Sequence, residues 1–550
     1  MLEEFVQTRL PPEILSNIFM FCQANSKRGD PNTAFNRDWI RVSHVCRQWR
    51  DVALGCPDLW STIQLDESQE KYLTSWYASQ LERAENYPLA IEASIEWIPS
   101  QETIGWVVSL LPRITSLDVQ GHDDCVMEFL TGFADLCAPA LLSISIDTFG
   151  EIPPSLFGGG TPQLQFIRLE DCSKLPVASP IFQSPSLTHL ELTYIIDSPP
   201  WPWIHGLLQG VSGTLNTLIF DHVLPNRYPK NDNNSLPILE LSRLQQISLF
   251  ETFHILSGFL NSIRIPASTR VDLWISQVQD EVYYEDIYAA LSNARSTTFS
   301  PRGLLMTQGH SPSHWIKTAA DLRIEGWEDR PLVKSDRISD QPPLISLTYT
   351  PAFMPVGLGQ WVKAKPSFPI YSKQQFSIPG LSSLHLESLF IRPSQQRYGI
   401  PQAIPTHPTF WSEIAELPEL STIMIDPDCV KQFIRCLKED SLAIQAHPDG
   451  TSSAARRRFP ALKIVFFEGY NARNVVNVDG PGRFTGSTFE TLEENIRLRA
   501  GIGKGFESVK FFKWEADVDD GLKERLSSFI DSVQQFGLSA SCEKFSTVRG

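Results

Sequence analysis

Few segments of this 550-residue sequence have residue types and spacings suited to catalysis or ligand binding. Gly501-Ile502-Gly503-Lys504-Gly505 has the glycine density of a phosphate loop, where backbone N–H groups close on a phosphate and a lysine neutralises it. It follows a helical pattern and precedes a strand pattern, whereas a dinucleotide loop runs from strand to helix so that the helix N-terminus faces the phosphate. That order makes it a helix-to-strand turn. Gly158-Gly159-Gly160 leads into Thr161-Pro162 and lacks the Lys-Ser/Thr pair of a phosphate cradle. His122-Asp123-Asp124 is the densest polar group and reads as a solvated loop. The 11 histidines have no metal-ligand spacing, and there is no HExxH helix or GxSxG elbow. Cys429 and Cys436 stand too far apart for a CxxC site. The sequence therefore argues for no catalytic residue, no metal and no cofactor, so the chain is not expected to be an enzyme. An enzyme built from distant residues would have its cleft in the irregular stretch Ser276 to Gln341, and no motif supports that reading.

Composition bounds the partners. A formal net charge of −16 opposes binding to a phosphate backbone, which requires Lys and Arg to displace condensed counterions, so no nucleic-acid partner is expected. Arg456-Arg457-Arg458 is the one basic cluster and reads as a solvated loop. Met1-Leu2-Glu3-Glu4-Phe5 has no basic region followed by an apolar run, and no run of about 18 apolar residues exists, so neither a secretory signal nor a membrane partner is expected. The 9 scattered cysteines fit reduced thiols of an intracellular protein, cytoplasmic and/or nuclear.

With no site chemistry to position, the elements themselves carry the reading. Leu10-Pro11-Pro12-Glu13-Ile14-Leu15 opens a helix near Pro12, since a proline at the helix start removes no needed donor and an early Glu suits the dipole. At 100° per residue, Ile14, Leu15, Ile18, Phe19 and Cys22 share an arc of about 140°. The spacing predicts a second helix from Arg37 to Ala53, with Asn36 as N-cap and Gly55 and Pro57 as stops. Trp39, Val42, Cys46, Trp49 and Ala53 occupy an arc of about 80°, widened by Val45 and Val52. Periodicity alone allows these stripes to pack on each other, on the rest of the chain, or on a partner.

Leu10-Pro-Pro-Glu-Ile-Leu-(x)2-Ile-Phe19, then Val42-Ser-His-Val-Cys-Arg-Gln-Trp49-Arg, then Leu59-Trp60, resembles the F-box-like family in the order and spacing of all three blocks. The resemblance spans residues 8–63 and departs from the family pattern in the long polar insert Gln23 to Asn36. It implies a helical unit that binds the Skp-type adaptor of a cullin–RING ubiquitin ligase, while the downstream region captures a target protein. It also implies the adaptor-contact set Leu10, Pro11, Pro12, Glu13, Ile14, Leu15, Ile18, Phe19, Val42, Val45, Cys46, Trp49, Leu59 and Trp60.

Beyond a helical connecting segment, 64–110, an apolar-xx-apolar-x-apolar pattern recurs. Its copies are Ile114-Leu117-Val119, Leu141-Ile144-Ile146, Leu164-Ile167-Leu169, Leu187-Leu190-Leu192, Leu215-Leu218-Phe220 and Leu244-Ile247-Leu249. The start positions lie roughly 23 to 29 residues apart, a leucine-rich-repeat spacing, and the third copy continues to Cys172 and Leu175 as that repeat's motif does. Later copies, Leu344-Leu347-Tyr349, Leu381-Leu384-Leu386, Leu420-Ile423-Ile425, Leu462-Val465-Phe467 and Phe506-Val509-Phe511, are more widely spaced, with helices expected at Asp428 to Leu437, Phe489 to Leu498 and Leu522 to Val533.

The predicted fold is therefore α/β: an N-terminal helical unit, then a leucine-rich-repeat-like solenoid over 111–545 with one parallel sheet, irregular at 276–341. An ordinary parallel α/β domain is the competing architecture. A repeat too small to bury its own apolar row must lean on its neighbours. Period-two geometry then turns Arg168, Glu170, His189, Glu191, Asp221, Phe250, Phe466 and Lys510 outward, as candidates for target binding. The function expected is a substrate receptor of a Skp–cullin–F-box-type ligase; a leucine-rich scaffold acting outside ubiquitination is the alternative.

Overall fold

The computed structural model describes residues 10–26, 38–66, 70–225, 236–278, 284–295, 303–310, 320–327, 345–351, 388–392, 411, 414–425, 433–438, 459–468, 486–501, 505–512, 528 and 532–536. The chain divides into two compact units, Met1–Glu251 with Ser262–Pro266, and Thr252–Asn261 with Ala267–Gly550.

The first unit opens with helix α1 (Pro12–Ser26), with Glu13 in its first turn. The Pro11 carbonyl accepts from the N–H of Ile14 and of Leu15, both at 3.1 Å. The predicted helix over 37–53 is instead two pieces, a 3-10 helix Asp38–His44 and α2 (Arg47–Leu54). The break falls at Cys46, whose backbone is extended and whose Sγ accepts from the Trp49 N–H at 3.4 Å. A residue that caps one helix cannot lie inside a longer one. Gly55 closes α2 by donating to the Asp51 carbonyl. Pro57 then occupies the first turn of a short helix, α3 (Pro57–Trp60). Asn36, the expected N-cap, lies outside the described residues.

The segment 64–110 is not simply a helical connector. It holds most of β1 (Thr62–Asp66), α4 (Glu70–Ala84), β2 (Leu89–Ile95) and α5 (Gln101–Ser109). β1 pairs in parallel with β2, and β2 with β3 (Ile114–Gly121). β1 carries the apolar-xx-apolar-x-apolar frame as Trp60-Ile63-Leu65, all three buried, with Trp60 also the last residue of α3, while in β2 Pro88 stands at the first position ahead of Ile91 and Ala93. The signal in β2 is alternation: Leu89, Ile91, Ala93 and Ile95 are buried, while Ala90, Glu92 and Ser94 between them are half-buried.

After β3 come α6 (Asp123–Thr131), β4 (Ser143–Asp147), β5 (Phe166–Glu170), β6 (His189–Thr193), α7 (Trp201–Val211), β7 (Thr217–Asp221), β8 (Leu239–Glu240) and β9 (Gln246–Thr252). Strands β3, β4, β5, β6, β7 and β9 each pair in parallel with the next in that order. β8 pairs separately with β10 (Ile263–Arg264). The shared register aligns Leu117, Ile144, Ile167, Leu190, Leu218 and Ile247 in one ladder and Val119, Ile146, Leu169, Leu192, Phe220 and Leu249 in a second, every one at 0% exposure. The six early sequence copies are thus six rungs of one buried core, each completed by its neighbours.

Gly121 has φ +142°, and a Cβ there would stand 2.1 Å from the Ile95 carbonyl oxygen. Gly121→Ala is expected to cost about 2 kcal/mol or more, because both the dihedral and the space exclude the methyl group. An unchanged midpoint in thermal melting would contradict this.

The second unit contains α8 (Phe253–Asn261), β11 (Arg270–Val278), α9 (Tyr284–Arg295), β12 (Gly303–His310), β13 (Ala320–Trp327), β14 (Ile345–Pro351), β15 (Ser388–Arg392), β16 (Thr422–Ile425), β17 (Ile464–Glu468), α10 (Gly486–Gly501), β18 (Ser508–Phe512) and β19 (Ser532–Phe536). Its sheet runs β11, β14, β13, β12, β15, then β16 through β19. The pairs β12–β13 and β13–β14 are antiparallel and the others parallel. The sheet is therefore not uniformly parallel across 111–545, and the irregular 276–341 stretch is where strand direction reverses. Leu420, Ile423, Ile425, Leu462, Val465, Phe506 and Val509 are buried as the later copies require. Leu344, Leu381, Leu384 and Leu386 lie outside the described residues. Phe489 to Leu498 lies within α10, and the described part of 428–437 is helical. Val533, expected to end a helix, lies in β19.

Candidate protein-interaction surfaces

The sequence-derived adaptor set separates into two environments. Leu15, Phe19 and Leu59 are at 0% exposure and Trp60 at 1%, so these four shape the helical unit from inside and are not its outer contact face. Leu10, Val42, Cys46 and Trp49 are half-buried; Pro11, Pro12, Glu13, Ile14, Ile18 and Val45 are exposed. Packing explains the division. The Phe19 and Trp49 rings meet at 5.2 Å, and Trp39 meets Trp60 edge-on at 5.3 Å, so the aromatic residues of successive helices fill the interior. What remains outside is an apolar stripe on α1, Ile14, Ile18 and Phe21, spaced i, i+4, i+7, together with Val45 and Leu54. Phe21, at 68% exposure, is absent from the sequence-derived set. An arc drawn through Leu15 and Phe19 misses it, although its spacing from Ile14 was legible.

This helical unit is tied to the start of the sheet. Trp60 Nε1 donates to the Ala53 carbonyl at 2.7 Å, its ring lies 6.1 Å from that of Trp76, and the Arg83 guanidinium sits 4.4 Å over it. Buried Gln80 donates to the carbonyls of Trp60 and Thr62 at 3.2 and 2.6 Å, and Tyr77 to that of Gln64 at 2.9 Å. The stripe on α1 therefore belongs to a packed body continuous with β1.

The second surface is the outward face of the first unit's sheet. Arg168, Glu170, His189, Glu191, Asp221 and Phe250 all lie on its outward rows and are half-buried. Phe466 and Lys510 face each other in register on β17 and β18, with side chains outside the described residues. Arg168 bridges two carboxylates, bonding Glu170 along its own strand and lying 3.5 Å from Glu191 on the next.

Directly beyond the strand ends, Asp171, Tyr194 and His222 adopt left-handed backbones with φ of 59°, 53° and 52°. Their N–H groups donate to the carbonyls of Thr193, Asp221 and Phe250 at 2.9, 2.7 and 3.0 Å, extending the ladder by one rung. His222 lies between Tyr194 and Phe250, tilted against the first at 5.6 Å and edge-on to the second at 4.8 Å. Below them Glu251, 3% exposed, accepts from the Leu224 N–H at 2.9 Å.

Crowded carboxylates make this face electrostatically unfavourable for itself. Burial, reinforced by Glu251, Glu170 and Asp171 against the relief of His222, pushes the Asp221 carboxyl up to about 7. Burial, Glu170 and Asp171 push Asp147 up to about 6. For His222, burial pulls the imidazole down, but Glu251 and Asp221 outweigh it and the net direction is upward. Cys172 is held up to about 12 by burial, which leaves it a packed thiol and not a nucleophile. Among the described residues, no three His, Cys, Asp or Glu side chains gather as metal ligands.

A carboxyl raised in this way binds its proton more tightly in the fold than in the unfolded chain. The stabilisation from Asp221 is complete below its ordinary 3.8 and is lost as pH rises through about 7. Asp221→Asn is therefore expected to melt higher than the parent at pH 8, with the difference shrinking toward pH 5.5. A difference independent of pH would show that Asp221 is not under this strain.

Residues 8–66, from just before α1 to the end of β1, match the model of the F-box-like family. No curated protein matches the chain. The family match covers about a tenth of the 550 residues. It identifies an F-box-like domain at the N-terminus.

Proposed function

We propose that the chain is the substrate-recognition subunit of a Skp–cullin–F-box-type ubiquitin ligase. The observation that carries this reading is the F-box-like match over 8–66 on a helical unit with an apolar stripe left outside its own core. In this reading Ile14, Ile18 and Val45 dock the Skp-type adaptor, and the leucine-rich-repeat-like sheet face holds the target protein. The protein itself supplies no catalytic group. Its contribution is proximity, since holding the target beside the charged ubiquitin carrier turns a bimolecular encounter into a local one. Such a receptor acts in the cytoplasm, the nucleus or both. The packing of Trp60 against Trp76 and Arg83 supports a fixed geometry between the two docking surfaces.

Affinity purification of the full chain beside a chain lacking residues 1–66 tests the proposal. The full chain is expected to recover the adaptor and cullin, and the shortened chain to lose both while retaining the target. Recovery of partners without adaptor by the full chain would instead support a scaffold outside ubiquitination.

A further inference from the structure

The loops beyond the strand ends of the first unit carry large apolar side chains into solvent. Trp97 and Ile98 after β2 are each 71% exposed, Phe149 after β4 58%, and Ile196 after β6 68%. Such residues clustered at one rim mark an interaction surface. β4 and β6 flank β5, at about 4.8 Å per strand, so the strand ends from which the Phe149 and Ile196 loops depart lie roughly 10 Å apart, the reach of about three extended residues. Between and beside them run the half-buried carboxylates Asp147, Glu170, Glu191 and Asp221.

Charge decides the occupant. Arg168 already engages Glu170 and Glu191, while Oδ1 of Asp221 is buried without a hydrogen-bond partner. An acidic segment laid here would add to the repulsion among these groups and a neutral one would bury them without a counter-charge, whereas a guanidinium or ammonium group would relieve it. The rings of Tyr194 and Phe250, on either side of His222, are the aromatic groups beside Asp221 against which the stem of such a cation can lie.

We infer that the sheet face and strand-end rim of the first unit recognise a basic, extended segment of the target, with Lys or Arg side chains against Asp147 and Asp221 and apolar side chains on Phe149 and Ile196. This deepens the proposed target-binding role of the face and rests on it.

The test uses the full chain in complex with its adaptor and fluorescent eight-residue peptides alternating Arg with Leu, with Glu-for-Arg peptides as control. The Arg peptide is expected to bind, more weakly as salt is raised, and the Glu peptide not to bind. Asp147→Asn with Asp221→Asn should weaken the Arg peptide about tenfold, and Phe149→Ser with Ile196→Ser by a similar factor, with adaptor binding unchanged. Lowering pH from 8 to 5.5 should weaken it as well. Asp147, facing Glu170, Asp171, Arg168 and Asp118, and Asp221, facing His222, Glu251, Glu170 and Asp171, both lose charge over that range. Equal binding of Arg and Glu peptides, or an unaffected Asn double variant, overturns the inference. If Phe250→Ala reduces capture of the native target while the Asn double variant does not, only the basic chemistry is wrong. If no variant on the face changes target capture, the face assignment fails with it.

Discussion

Replacing Ile14 and Val45 together by Asp should abolish adaptor binding, weakening it at least about a hundredfold, while the chain melts as before. Both side chains are about half exposed, so in the free protein a carboxylate there stays hydrated and costs little, within about 0.5 kcal/mol. In a complex the same carboxylate would be driven out of water with no partner, a penalty of several kcal/mol, and each 1.4 kcal/mol is a factor of about ten in affinity. Leu15→Asp is the contrasting control. Leu15 is at 0% exposure inside the helical unit, so its substitution should unfold that unit and lose the adaptor by a different route. Calorimetric titration of purified adaptor, with circular dichroism of each variant, separates the two. A folded Ile14→Asp/Val45→Asp protein that still binds adaptor with parental affinity would falsify the docking surface.

Trp60→Ala should be the most destabilising single substitution in the N-terminal region, costing about 3 to 5 kcal/mol. The ring is 1% exposed, packs against Trp39 and Trp76 and lies under Arg83, and its indole N–H satisfies the Ala53 carbonyl. Truncation leaves a cavity and an orphaned carbonyl together. Amide exchange should localise the loss to α1–α4 and β1, leaving β4 to β7 protected, because those strands are held by their own ladders. Uniform loss of protection through β7 would mean that the helical unit and the sheet unfold as one. Unchanged exchange in α1–α4 would show that Trp60 does not couple them.

The particular elements show where sequence reading reaches its limit. The early repeat copies were legible because each is a strand with one face inward. The motif residues from Leu117 to Leu249 then align as the two buried ladders. β1 and β2 belong to the same array, but Trp60 of the β1 frame Trp60-Ile63-Leu65 is also the last residue of the F-box-like blocks, and in β2 Pro88 stands where the early copies have Leu or Ile, ahead of Ile91 and Ala93. The reversal at β12 to β14 was not legible, since strand direction is a property of how segments meet and not of any one segment.

At the N-terminus the sequence by itself determined the class of unit, because prolines, tryptophans and cysteine at fixed separations match a family over 8–66, although the break between helices at Cys46 was not read from them. Only the tertiary structure decided which apolar residues face inward. Ile14 and Leu15 are chemically equivalent neighbours on one predicted stripe, yet packing of Phe19 on Trp49 turns the helix so that Leu15 is covered and Ile14 is not. The same holds on the sheet. The sequence placed Arg168, Glu191 and Asp221 outward by period two, but only register brought Arg168 beside Glu191, and Asp221 into the crowd of carboxylates that raises it to about 7. Periodicity is a local property of the backbone, fixed by its own dihedrals, whereas burial and charge proximity depend on which distant segments arrive alongside.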